Sequence, residues 1–317
     1  MSNPKPRHGS LQFYPRSRAK RILPRVSWNA IHSKDSQLQG FIGYKVGMKS
    51  AFVKDNTPNS LTKGKRIILP VTIIECPTIK ILSVRFYKDN IVAGEVLSKN
   101  IDKEIKRKFK TPKNYTKNIE DFEKSKEFDD VRVVVYSQVK KTNIKKSPDI
   151  KEIGLTGTLE QKLAFIKNNL SKEMSVKEVM KDTLVDVRGV TKGKGLQGTI
   201  KRFGITLKAH KSEKGQRTLG SGGPWHPARV DFHQPRAGQM GFFTRASYNS
   251  KVILVGNPKE REINPSNGFK NFGKVVNDYI IVEGSIMGPA KRPVLITAAL
   301  RPAKAHSKKS YEFIELR

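Results

Sequence analysis

Cysteine is all but absent from this chain: 317 residues carry one, Cys76. A single thiol excludes an internal disulfide and every cysteine-rich zinc site. It lies in an apolar, strand-like run and reads as a small buried hydrophobe. Acidic residues are also scarce, 28 against 62 Lys/Arg, for a formal charge of +34. Such an imbalance says little about fold and much about partners, because it concentrates polyanions around the chain. No apolar run approaches the ~20 residues needed to span a bilayer, which argues against a membrane partner. The opening SNPKPRHGS has no apolar signal core, so a cytoplasmic setting is expected. Hydrophobic residues make up only 36% of the chain, and part of its length is therefore expected to stay outside any core.

The positive charge is unevenly spread. Between Arg188 and Ser250 stand twelve Lys/Arg: Arg188, Lys192, Lys194, Lys201, Arg202, Lys208, Lys211, Lys214, Arg217, Arg229, Arg236 and Arg245. Only Glu213 and Asp231 oppose them. This stretch has too few apolar residues for a core of its own, and its like charges repel unless a polyanion neutralises them. Interspersed glycines let the backbone approach a phosphate surface closely. Residues 102–182 contrast with it, holding twenty Lys/Arg against fourteen Asp/Glu, the mixed charge of solvent-exposed structure.

Five segments follow from this composition. Residues 1–37 interleave Arg7, His8, Arg16, Arg18, Lys20, Arg21 and Arg25 with Pro4, Pro6, Pro15 and Pro24, a spacing that forbids a long helix. Phe13, Tyr14 and Trp28 lie among these charges, which favours an extended arm along nucleic acid over a purely solvating tail. Residues 38–101 are rich in Ile and Val, broken by Gly, Pro and Asn turns, and read as the first strands of a barrel. Within 102–182, VRVVVYS (131–137) reads as a buried strand, Leu159, Leu163, Ile166 and Leu170 recur at helical spacing, and Ser175 can cap a further helix. Residues 183–256 combine barrel strands with the basic central stretch. Residues 257–317 supply the last strands and a Lys-rich tail (Lys304, Lys308, Lys309), either solvated or touching phosphate. Strands at both ends with a long interruption between them predict a mainly β fold with an α+β insertion, the two halves meeting in one barrel.

Several chemistries can be tested and set aside. A phosphate-binding loop needs two glycines separated by four residues and then Lys-Ser/Thr, but Arg188 stands where the first Gly is required and Gly195 follows Lys194. No βαβ pattern with a downstream acid surrounds the glycines, so the dinucleotide fingerprint fails too. His226, His233, Asp231 and Ser221 are close in sequence, yet no helix or strand spacing brings them to one face as a triad or metal site. Neither catalysis nor a cofactor is expected. Pro224-Trp225-His226-Pro227 reads instead as a rigid tip whose indole can stack on a base, worth roughly 1–3 kcal/mol. A general basic binder of chromatin type would also explain the charge, but not its lopsided distribution or Trp225.

Seven segments together resemble one family. PRHGSLQFYPR (6–16), FIGYKVGM (41–48), VTIIECPT (71–78), GVTKGKGLQGTIKRFG (189–204), GPWHPARV (223–230), RAGQMGFFTRASYN (236–249) and VVNDYIIVEGSIMGPAKRPV (275–294) resemble, in this order, the universal large-subunit ribosomal protein L-three in its archaeal and eukaryotic form. The resemblance implies a translation-protein-type β-barrel carrying an extended N-terminal arm and a long basic central extension. It also implies binding to large-subunit rRNA, an early role in assembly, and ribosomal protein L-fourteen as a neighbour. By matched motif, Trp225 would tip the central extension close to the peptidyl-transferase centre and the path of aminoacyl-tRNA, with the Arg7–Arg18 arm nearby. Eukaryotic members carry a modified His before the tip; Glu213 stands at that position here and His210 three residues earlier, so the modification is not carried over. Free in solution, 1–37 and 205–235 are expected to be disordered until rRNA orders them.

Overall fold

The computed structural model describes residues 10–31, 37–115, 118–120, 122, 128–221, 225 and 228–317. It divides into a basic unit, residues 1–22 and 190–245, and a core unit, residues 23–189 and 246–317.

The core unit is built on two antiparallel sheets. The larger contains β1 (Gly40–Asp55), β2 (Arg66–Glu75), β7 (Leu184–Val190), β10 (Thr244–Gly256), β11 (Tyr279–Glu283), β12 (Pro293–Ala298) and β13 (Tyr311–Leu316). Their order is β12-β7-β10-β11-β2-β1-β13, and β12 also pairs with β1, so the ladder runs from β12 around to β1 and back to β12. Burial explains which sequences take which place. The residues of β12 are all buried between β7 and β1, as suits PVLITA, which is apolar except for Thr297. In β1, Ala51, Val53 and Asp55 point inward while their neighbours face out, the period-2 pattern of a half-buried strand. Gly43 of β1 is demanded by close approach, since a Cβ there would lie 2.5 Å from Ile74 Cγ2.

The second sheet has the order β4-β3-β5-β6, from β3 (Ile79–Lys88), β4 (Ile91–Leu97), β5 (Asp130–Ser137) and β6 (Ile150–Gly154). Helix α1 (Leu159–Asn169) belongs to the same region, buries Ile166, and begins in a reciprocal capping box between Thr158 and Gln161. Helix α2 (Val176–Val179) starts at the cap expected from sequence, Ser175, whose hydroxyl accepts from the Glu178 N–H. The two sheets share one apolar core that includes Ile42, Ile73, Val84, Phe86, Val133 and Leu295. Complete burial of an Ile or Phe side chain contributes roughly 1.5–3 kcal/mol, so this core dominates the unit's stability. A polar tie also crosses between the sheets. The Tyr44 hydroxyl of β1 lies 2.6 Å from Ser137 Oγ and donates to Asp149 Oδ2 at 2.6 Å.

The chain is mainly β, as composition and periodicity predict. Three boundaries differ from the sequence expectation. First, 38–101 does not all enter the larger sheet, because β3 and β4 pair with β5 and β6. The second sheet therefore begins before residue 102; strand propensity identifies a strand but not its partner. Second, the arm does not extend to residue 37. Leu23, Trp28 and Ile31 are buried in the core cluster, with Trp28 only 4% exposed, so this indole is a core residue and not a nucleic-acid contact. Third, the Lys-rich tail is structured: α4 (Lys304–Ser307) is followed by β13, which pairs with β1, and Lys309 forms a 2.9 Å ion pair with Glu283. The alternation of YEFIEL is the local signal for that strand, and the lysines before it obscure it.

Candidate nucleic-acid interface

The basic unit is organised by a short antiparallel stem. β8 (Leu196–Gln197) pairs with β9 (Gly238–Gln239), and the pairing continues toward the strand ends. The Lys194 N–H donates to Met240 O at 3.0 Å, Met240 N–H to Gly195 O at 2.9 Å, and Thr191 N–H to Phe243 O at 3.0 Å. Gly241 is required here: its φ is +72°, and a Cβ would come within 2.1 Å of the Lys192 carbonyl. The short helix α3 (Thr199–Phe203) follows β8 and ends at Gly204, whose φ of +66° provides a left-handed cap.

Arg202 holds the two sides of the stem together. Its Nε donates to Gln239 O at 3.0 Å and its Nη1 to Arg236 O at 2.9 Å. Burial, followed by the nearby Arg16 charge, lowers the pKa of this guanidinium. Arg16 Nη1 donates to the Arg202 carbonyl at 3.2 Å, and its guanidinium lies 4.3 Å from the centre of the Phe203 ring. Tyr14 stacks against the same ring with centroids 6.4 Å apart. Phe232 and His233 complete the aromatic cluster at 6.2 and 5.5 Å from Tyr14. Further along the arm, Ala19 N–H donates to Phe242 O at 2.8 Å, and Arg18 sits 5.1 Å from the Phe242 ring. Arg245 lies between Phe13 and Phe243, 4.9 and 5.2 Å from their centres.

These interactions divide the residues that sequence groups together. Arg16 and Arg202 bind the protein itself, and Arg245 is half-buried between rings. Arg18, Lys20, Arg21, Lys192, Lys194, Lys201, Lys211, Lys214, Arg217, Arg229 and Arg236 are exposed, and Lys208 is half-buried. Residues 208–216 form a turn in which Lys208 N–H donates to Gln216 O at 3.1 Å and Gly215 takes a φ of +81°. Trp225 is 90% exposed and so is not a core residue. Arg7, His8 and His226 lie outside the described residues. The aromatic cluster of Tyr14, Phe203, Phe232 and His233 escapes sequence reasoning, because Tyr14 lies roughly 200 positions from the other three. Phe13 and Phe232 are also exposed.

Seventeen Lys/Arg of the basic unit face only Glu213 and Asp231. Glu213 is exposed. Asp231 caps its own turn, accepting from the His233 N–H and meeting its Nδ1, both at 2.9 Å. Those bonds, the backbone one first, hold its carboxyl below the usual range. His233 and Asp231 thus form a local turn contact, and no group of three or more potential metal ligands occurs among the described residues. A surface of this charge, with exposed aromatics on a stapled stem, is suited to binding a polyanion by phosphate neutralisation and base stacking.

Comparison with known proteins agrees with this chemistry. The model of the family described as ribosomal protein L3 matches residues 1–317. The chain is 41% identical over 311 residues to the large ribosomal subunit protein uL3 of Methanocaldococcus jannaschii, covering 94% of this chain and 92% of that protein. It is 42% identical over 317 residues to uL3 of Archaeoglobus fulgidus, covering 95% and 94%. Against uL3 of Methanococcus vannielii the identity is 40% over 316 residues.

Proposed function

This chain belongs to the ribosomal protein L3 family, structural components of the large ribosomal subunit rather than enzymes, and from that premise we propose that its basic unit binds large-subunit rRNA. One observation carries the reading: seventeen basic side chains meet two acids on a unit whose backbone is already stapled. Exposed lysines and arginines contact phosphates and release counterions, while Phe13, Phe232 and Trp225 offer stacking faces. Exposed Trp225 supports its role as the tip of an extension directed toward the peptidyl-transferase centre and the aminoacyl-tRNA path. The core unit is the translation-protein-type β-barrel, a reading supported by the double pairing of β12. It stays with the subunit surface next to ribosomal protein L-fourteen, and the protein joins the rRNA early in assembly, in the cytoplasm. A general chromatin-type binder is not favoured, because the family match runs the length of the chain.

The test is co-sedimentation of the chain with large subunits before and after a high-salt wash. Retention near one copy per particle is expected of a constituent threaded into folded rRNA. Loss at moderate salt would leave only surface electrostatics and overturn the reading.

A further inference from the structure

The second sheet of the core unit has an excess of positive charge at one end. Its pairings place Lys88, Ile91, Asp130 and Gly154 at one end, where Asp89, Asp129, Asp130 and Lys162 line a cleft and Asp130 is paired with Lys162 and Arg132. The opposite end carries the 98–113 and 138–149 connections, which hold eleven Lys/Arg against Asp102, Glu104 and Asp149. All three carboxylates are engaged internally: Asp102 by Lys80 at 3.1 Å, Glu104 by Lys140 at 2.7 Å, and Asp149 by Lys145. Lys103, Arg107 and Lys146 are exposed and form no ion pair among the described residues. Together with Lys140 and Lys145 they line a cleft of about 560 Å³ in which Glu104 is the one lining carboxylate.

The backbone bearing these cations is anchored. The 3-10 turn Lys103–Arg107 buries Ile105 against Leu82, Val134 and Tyr136. The turn Val139–Thr142 buries both of its end residues. Lys145 is further held with its amine 5.5 Å from the Tyr44 ring. Like charges fixed in a concavity repel one another, and the acids that could relieve them are either occupied or at the far end of the sheet. An external polyanion supplies the missing charge.

We propose that this cleft is a second phosphate-backbone site for RNA, made by the core unit and separate from that of the basic unit. It rests on the rRNA-binding reading above but uses different residues, so the two can fail separately. The full chain is compared with two triple variants, Lys103→Gln/Arg107→Gln/Lys146→Gln in the cleft and Lys192→Gln/Lys194→Gln/Lys201→Gln in the basic unit. The measurement is the slope of log affinity against log salt for large-subunit rRNA. Each phosphate that is no longer neutralised lowers the slope by about 0.7–0.9, so each variant is expected to lower it by roughly two. A cleft variant with the wild-type slope beside a lowered basic-unit variant would overturn the cleft and leave the proposed function standing. Wild-type slopes in both would overturn both. A wild-type slope in a cleft variant that is nevertheless missing from purified subunits would assign the cleft to an acidic protein neighbour, against the proposal. Photo-crosslinking of wild-type subunits avoids any question of variant folding: nucleotide adducts are expected on the peptides bearing Lys103, Arg107 and Lys146, and their absence would count against the cleft.

Discussion

Replacing Arg202 by Lys isolates what holds the basic unit together, because it keeps the charge and removes the planar fork. Two hydrogen bonds to the carbonyls of Gln239 and Arg236 depend on that fork, the first part-buried and the second exposed. A hydrogen bond from a charged donor contributes about 1.5–3 kcal/mol at best, and exposure brings the second to about 0.5 kcal/mol. Lysine can retain one bond but cannot reach both carbonyls in the same geometry. The expected loss is therefore about 1–2 kcal/mol of local stability, or roughly a 5- to 30-fold rise in stem opening. Native-state hydrogen exchange reads this directly. The Lys194 and Met240 amides, which bond across the stem to Met240 O and Gly195 O, should lose protection by that factor. The Ile73 amide in β2 of the core unit should not change. Unaltered stem protection would show that Arg202 is not the clamp, and an equal fall at Ile73 would show that the stem does not open independently.

Three further outcomes are expected. Tyr44→Phe removes a hydroxyl that lies 2.6 Å from both Ser137 Oγ and Asp149 Oδ2; leaving these buried groups short of a partner should cost about 1–3 kcal/mol and lower the melting temperature by several degrees, whereas an unchanged melt would mean the tie between the sheets contributes nothing. Glu75 is buried, and this burial raises its carboxyl pKa above the ordinary 4.5 even though Val276 and Asn277 N–H groups and the Asn277 amide pull the other way. The folded state thus holds the proton more tightly than the unfolded chain, so the contribution to stability is complete below about pH 4.5 and is lost as pH rises through the raised value. Glu75→Gln should flatten the dependence of melting temperature on pH above that point; a slope identical to wild type would refute the assignment. Trp225→Ala removes a side chain that is 90% exposed, so stability should change by no more than about 0.5 kcal/mol while tRNA accommodation or late subunit maturation suffers. Wild-type peptide-bond rates together with normal subunit yields would sink the role proposed for the tip.

Much of the fold is legible because strand identity is a local property. The Ile- and Val-rich runs announce β1, β2, β5, β11 and β12, and the spacing of Leu159, Leu163 and Ile166 announces α1. The excess of cations over acids between Arg188 and Ser250 likewise marks the polyanion surface without any structure. Trp28 is the instructive failure. It follows Pro24 and Arg25 in a basic segment, which suggests an arm on nucleic acid, yet β1 and β6 supply the surface that buries it: Gly40 and Gly154 lie directly against its ring and stem. Charged surroundings along the chain do not exclude an apolar surrounding in space.

Composition and periodicity by themselves determine that the protein is mainly β, strongly basic, poor in thiol chemistry and equipped with a segment that cannot make its own core. Only the tertiary structure decides which strands pair, since β3 joins β5 across more than forty residues and β12 joins both β1 and β7. It alone separates Arg16 and Arg202, turned inward onto Phe203 and carbonyl oxygens, from exposed neighbours such as Lys201 of identical formal charge. It also gathers the cations of the 98–113 and 138–149 connections at one end of the second sheet. The reason is common to all three: charge and propensity belong to a residue, whereas pairing, desolvation and electrostatic field depend on what distant parts of the chain are brought beside it.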